Sequence, residues 1–271
     1  ERELATASKH QAIAALKFLY AQVLPSIAVE ADSFSRDCEA YQAPSVLTRA
    51  EISAVLARLS GIPRIVAMLL YGSGMRLSEC LNLRIQDVNE REDTIYIRAA
   101  HGNDERVTLL PARIKTALVH HIRQTALVHQ QDLLTPRGGW VALPTGITTQ
   151  ARSAGRHWLW QWVFPASRTH IHQPSQQCRR HHLSEHVIHL AVDEAAREAG
   201  ITKQVSAHTL RHSFATHLLM HGSDMRSIQS LLGHKHLRTT TNYVRAAKLL
   251  RCRIRSPLDS FCDINGDSES E

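Results

Sequence analysis

Cysteine is scarce and scattered in this chain. Five residues, Cys38, Cys80, Cys178, Cys252 and Cys262, stand far apart with no C-x-x-C pair among them. That excludes a disulfide-stapled secreted scaffold and a zinc ribbon, and favours reduced thiols in a cytosolic setting. No apolar run is long enough to cross a bilayer, and no amphipathic basic helix suggests a membrane surface. The opening ERELATASKH lacks the charged region, apolar core and cleavage site of a signal peptide, so a cytoplasmic protein without a membrane partner is expected. No segment repeats another. What the chain has in excess is positive charge: a formal +7 over 271 residues, with a pI near 9.4. Such an excess suits a polyanion, nucleic acid first, although a basic protein without such a partner has the same composition.

In KHQAIAALKFLYAQVLP, Ile13, Leu16, Tyr20 and Val23 recur at helical steps up to Pro25. This predicts one helix, about Ser8 to Leu24, followed by a polar linker over 26–44. A larger domain opens at LTRAEISAVLARL, where Thr48 and Glu51 make a capping box and Ile52, Val55, Leu56 and Leu59 form a buried stripe. IVAMLLYGSGM reads as a buried helix broken by Gly72 and Gly74, with a short helix from about Leu77. TIYIR and RVTLLP alternate as strands, joined by AAHGNDE in a hairpin turning at Gly102 and Asn103. The pattern is helical again from Ala112 to about Gln131. Residues 135–180 then gather prolines, glycines and all four tryptophans. SEHVIHLAVDEAAREAG predicts a helix capped by Ser184 and stopped at Gly200. Two more helices follow, over SAHTLRHSFATHLLMHG and SDMRSIQSLLG, with another from about Thr239 and an acidic tail from Leu258.

SAHTLRHSFATHLLMHG carries four histidines and one arginine on a single predicted helix. His208 with His212 and His217 with His221 have the spacing of paired metal ligands. Neither pair encloses the glutamate of an H-E-x-x-H zinc site, and no acidic or cysteine ligand is spaced nearby. A phosphate fits better. His208 and Arg211 are three apart and share a helix face, and Arg211, flanked by Leu210, Phe214 and Leu218, sits beside an apolar stripe. A buried guanidinium needs a carboxylate or a bound anion; a structural ion pair alone would account for one such arginine. Arg76 after the GSG turn, Glu79 one turn later and His234 after Leu231, Leu232 and Gly233 extend the set. Two arginines and two histidines match the charge of a pentacoordinate phosphoryl transition state without a metal. Tyr243, nine residues beyond His234, supplies a nucleophile whose phenol, with an ordinary pKa of about 10, ionises more readily beside guanidiniums.

LLYGSGMRLSECLNLRIQDV, HTLRHSFATHLL and LLGHKHLRTTTNYV resemble the three motif blocks of the tyrosine recombinases, in order and at the usual separations. The resemblance implies an α+β fold, mainly helical with a small antiparallel β-sheet. It implies a pocket of Arg76, His208, Arg211 and His234 gripping the scissile phosphate, with Glu79 as a supporting acid. Tyr243 would attack to give a 3′-phosphotyrosine and release a 5′-hydroxyl, needing neither metal nor other cofactor. AGRHWLWQWVFPAS, RRHHLSEHVIHLAV and RSPLD are further similar to the integron integrases, whose catalytic domain carries an added segment that holds bases protruding from a folded single-stranded site. The residues suit that task. Trp158, Trp160 and Trp162 alternate, as on one side of a strand, and Arg179, Arg180, His181 and His182 offer phosphate contacts and flat rings. Ordinary core packing explains such tryptophans as well.

The resulting layout is a last helix of a core-binding domain over 1–25, a linker over 26–44, a catalytic domain over 45–257 with an insertion at about 135–183, and an acidic tail over 258–271. The partners implied are a double-stranded attachment site, a folded hairpin site and further copies of the chain, as a tetramer on DNA. Two features depart from the family pattern. His101 stands where, by the resemblance, a lysine normally protonates the leaving oxygen, and the sequence is expected to hold only the final helix of the N-terminal core-binding domain. Rival readings are a DNA-binding remnant without catalysis, a histidine-rich metal hydrolase, and a topoisomerase with a similar active site.

Overall fold

The computed structural model describes residues 45–98, 105–144 and 153–233. The helix expected at 8–24, the linker, the hairpin turn, His101, His234, Tyr243 and the acidic tail lie outside them. Everything described belongs to one compact unit that begins at Pro44.

Helix α1 (Arg49–Arg58) starts as its sequence requires. The Thr48 hydroxyl accepts from the Glu51 amide at 3.2 Å and the Glu51 carboxylate from the Thr48 amide at 2.7 Å, closing both ends of the capping box. Ile52, Val55, Leu56 and Leu59 are buried as the stripe predicts. Helix α2 (Gly61–Ser73) runs straight through Gly72, contrary to the expected break. A single helical glycine costs roughly 1 kcal/mol, which the complete burial of Leu69, Leu70 and Tyr71 around it outweighs. The stop comes at Gly74, whose φ of +67° suits glycine and where a Cβ would meet the Phe214 ring at 2.4 Å.

The short helix α3 (Leu77–Leu81) leads to a three-stranded antiparallel sheet of β1 (Val88–Asn89), β2 (Thr94–Ile97) and β3 (Arg106–Leu109). The register pairs Ile95 with Thr108 and Ile97 with Arg106, so the expected hairpin is present and gains a third strand. Helix α4 (Ala112–Leu134) follows, and a two-stranded hairpin, β4 (Pro165–His172) with β5 (Gln177–His182), fills the segment that the sequence left without a pattern. Helices α5 (Glu185–Glu198), α6 (Ala207–Met220) and α7 (Met225–Leu232) complete the order, capped by Ser184, Ser206 and Asp224. The buried α2 is the hub, with α4, α5 and α6 packed around it. Among the described residues the fold is therefore mainly helical with two small antiparallel sheets.

The tryptophan segment is not a strand. Trp158–Trp160 form a 3-10 turn, closed by Trp160 N–H to the His157 carbonyl and Gln161 N–H to that of Trp158, both 3.0 Å. The buried Gln161 amide holds the turn by donating to the Gly139 and Gly155 carbonyls at 3.2 and 3.1 Å. The three indoles consequently share no face. Trp158 tilts against His129 with ring centroids 5.8 Å apart, Trp160 lies beneath Arg98, and Trp162 is buried.

Candidate active site

Glu79 is where the site assembles. Helix α3 begins at Arg76, whose backbone N–H donates to Glu79 Oε2 at 2.8 Å and whose guanidinium reaches Oε1 at 2.7 Å. From β3, Arg106 donates to both carboxylate oxygens, at 2.9 and 2.6 Å. From α6, Arg211 stands 3.7 Å from Oε2. Burial alone would raise the Glu79 pKa. The Arg106 hydrogen bonds and charge, the Arg76 amide and the Arg211 charge together overcome that and hold it at about 2. One carboxylate thus faces three guanidiniums, and the cluster is net positive.

Arg211 also satisfies backbone. It donates to the Gly74 carbonyl at 2.5 Å and to the Leu232 carbonyl at 2.6 Å, which are the C-terminal ends of α2 and α7. Helix C-termini carry unpaired carbonyls and partial negative charge, so a buried cation there is well placed. A carboxylate or a bound anion was expected opposite this arginine. Its described partners are two carbonyls and one carboxylate. His208, one turn earlier on α6, is exposed. His212 is half-buried, and burial, then the charges of His208 and Arg211, lower its pKa.

The other histidine pair is structural. His217 is buried, its Nδ1 lies 2.9 Å from the Tyr71 hydroxyl, and burial, helped by Arg49 and His221, lowers its pKa to about 4. His221 caps the end of α6 and meets Arg49. Among the described residues no three His, Cys, Asp or Glu side chains gather into a metal-sized group.

From Arg76 a cleft of about 540 Å³ runs past Arg84, Asp87, Tyr96 and Arg98 to Trp162 and His181. Arg84 lies 3.1 Å from the Trp162 ring centroid and donates to the Trp160 and Ala142 carbonyls at 2.8 and 2.6 Å. The Trp162 indole N–H donates to the Arg180 carbonyl at 3.0 Å. His181 is exposed at the cleft wall, with His182 stacked obliquely behind it at 4.1 Å between centroids. Arg179 turns toward Gln177 on its own strand, and Arg180 is bound by both oxygens of Asp132 at 2.6 Å. The structure therefore brings Arg76, Glu79 and Arg211 together and links them by the cleft to Trp162 and His181. It does not bring Trp158 or Arg180 to that cleft.

Arg106 was not legible as a site residue. Its one signal is alternation: with Thr108, whose hydroxyl donates to the Ser73 carbonyl at 2.7 Å, it lies on the inward face of β3.

Among solved structures, the chain is similar to XerH site-specific recombinase bound to difH substrate in a pre-cleavage complex, with a TM-score of 0.58 and 20% identity over 89% of this chain and 62% of that one. It is also similar to XerA recombinase, with a TM-score of 0.51 and 23% identity over 89% and 72%. These likenesses concern the fold. Residues 45–249 match the phage integrase family, and the chain belongs to it. An integrase/recombinase of Escherichia coli is 39% identical over 262 residues, 96% of this chain and 77% of that protein. Tyrosine recombinase XerA of Pyrococcus furiosus is 29% identical over 182 residues, 67% of this chain and 49% of its own. The function is site-specific DNA recombination of the tyrosine recombinase type.

Proposed function

We propose that the chain is an integron-type integrase, cutting and rejoining gene-cassette sites through Tyr243. Arg76, Arg211, His208 and His234 hold the scissile phosphate, and Glu79 fixes the two arginines. Tyr243 attacks phosphorus, the 3′-phosphate passes to its oxygen, and the 5′-oxygen leaves with a proton from the His101 imidazolium. Because an ordinary histidine is mostly neutral at pH 7, cleavage is slowed there and favoured in mild acid. Charge spread over the equatorial oxygens is met by the guanidiniums rather than by a metal. The partners are a duplex attachment site, a folded hairpin site and further copies of the chain, as a tetramer on DNA.

The observation that carries this reading is the cleft linking Arg76 to Trp162 and His181. A phosphate at the arginine end leaves room at the other for an unstacked base against the exposed His181 ring, with His182 behind it. The stacking surface first read into three alternating tryptophans is thus proposed at His181, while Trp162, buried under Arg84, shapes the cleft wall.

The test is covalent trapping. The protein is incubated with a hairpin single-stranded site and, separately, a duplex site, each nicked just past the scissile phosphate, and resolved on a denaturing gel. The expected result is an adduct that Tyr243→Phe abolishes and that forms faster on the hairpin. Equal adduct on both substrates would remove the integron assignment. Retained DNA binding without any adduct would make the chain a catalytically impaired remnant.

A further inference from the structure

We infer that Arg106 is a positioning residue that cancels the charge of Glu79, leaving the Arg76 and Arg211 charges available to the scissile phosphate. The inference rests on the phosphate pocket proposed above.

The charge count is the core of the argument. Glu79 and Arg106 are both buried, with side chains 6% and 7% exposed. They meet in a two-pronged pair, the strongest geometry a guanidinium and a carboxylate can adopt. Arg76 gives Glu79 a single side-chain contact and is 31% exposed, facing the cleft, while Arg211 stays 3.7 Å away and turns to helix carbonyls. Three cations and one anion leave two positive charges. Without Arg106 there would be one, and Glu79 would draw Arg76 and Arg211 inward. A buried carboxylate with a lost partner is costly and seeks another. The charged groups facing Glu79 are Arg76 from its own helix, Arg106 from β3 and Arg211 from α6.

Arg106 also fixes position. Its Nε donates to the Leu231 carbonyl at 2.9 Å, at the end of α7 and two residues before Gly233. Gly233 has φ +62°, and a Cβ there would lie 2.7 Å from the Arg106 guanidinium. That close approach ties the end of α7 to β3. Arg106 therefore joins the carboxylate hub to both elements.

The experiment needs no cleavage. In the Tyr243→Phe background, binding is compared for DNA sites carrying either the normal scissile phosphate or an uncharged methylphosphonate at that linkage. The ratio of the two affinities is internal to each variant, so partial unfolding cancels. The parent is expected to favour the charged linkage by about tenfold or more. Arg106→Gln should lose most of that preference at neutral pH. It should regain it as pH falls, because Glu79, freed of its main cation, takes up a proton. Glu79→Gln combined with Arg106→Gln should show the preference at every pH, and Arg106→Lys should retain most of it. An Arg106→Gln variant that keeps the parent's preference, or loses it equally at all pH values and in the double variant, overturns the inference. A parent without any preference overturns the phosphate pocket itself, and this inference with it.

Discussion

At the residue scale two buried titrating groups, one structural and one in the site, respond to acid in sequence. His217 is held neutral, with a pKa near 4 against an ordinary 6.5. The unfolded chain binds its proton first, so stability should fall as pH drops from about 6.5 to 4. Glu79 is held ionised at about 2 against 4.5. Its contribution is present above about 4.5 and is lost as pH falls toward 2, a span on the order of 3 kcal/mol. Denaturant unfolding followed from pH 7 to 2 should show both limbs. His217→Gln should flatten the first and Glu79→Gln the second; unchanged slopes would refute these assignments. The sequence marked Arg76, Glu79 and Arg211 as candidates because the GSG turn, the three-residue step from Arg76 to Glu79 and the apolar flanks of Arg211 are local features, and the structure brings the three side chains together. Arg106 was hidden because its significance depends on a carboxylate 27 residues away, and nothing in ERVT announces that contact.

Among elements, four capping signals read from adjacent residues match the structure, while the caps at Ser206 and Asp224 went unread. Thr48 with Glu51, Ser184, and Gly74 and Gly200 all end or start helices as expected. Gly72 was misread because a glycine alone does not break a helix whose neighbours are fully buried. The strand drawn through Trp158, Trp160 and Trp162 failed for a related reason. Alternation was visible, but the amide of Gln161 turning inward to two distant carbonyls was not. The β4 and β5 hairpin was missed because β4 is largely exposed and shows no apolar alternation. The junction of α7 and β3 gives the sharpest prediction at this scale. Gly233→Ala adds a Cβ against Arg106 at a backbone angle that L residues rarely adopt. It should lower stability by about 1–3 kcal/mol and slow adduct formation, measured by thermal melting and by trapping. Thr48→Ala, far from the cleft, should cost about 1 kcal/mol and leave trapping of the folded protein unchanged.

On the scale of the whole molecule, Arg84 is one of several fastenings of the inserted segment to the core, beside the Arg180–Asp132 pair and the buried Val163 and Phe164. Beyond its stacking on Trp162 and its two carbonyl bonds, the chain beside it pairs with the segment through Ile85 N–H to Gln161 O at 3.0 Å and Val163 N–H to Leu83 O at 2.9 Å. Arg84→Ala should therefore loosen this segment selectively, seen as faster amide exchange over 140–182 with little change in α2 or α6. It should weaken hairpin-site binding more than duplex binding. Equal protection in both proteins would show that the segment is held elsewhere. The fold class and motif order were legible in the sequence at this scale, whereas the cleft was not, because it is formed by residues from α3, from 82–87, from β2 and from three separate stretches of the inserted segment. Arg211 has a different consequence, for lineages rather than for single molecules. Since it fastens the ends of α2 and α7, a copy that has stopped recombining DNA still needs it to fold. In a copy retained for DNA binding alone, selection for the fold would preserve this arginine after cleavage is lost, while the exposed His208 would be free to drift. Among decaying descendants of such genes, an intact arginine at this place records a folded protein, and the histidine beside it is the better witness to a working one.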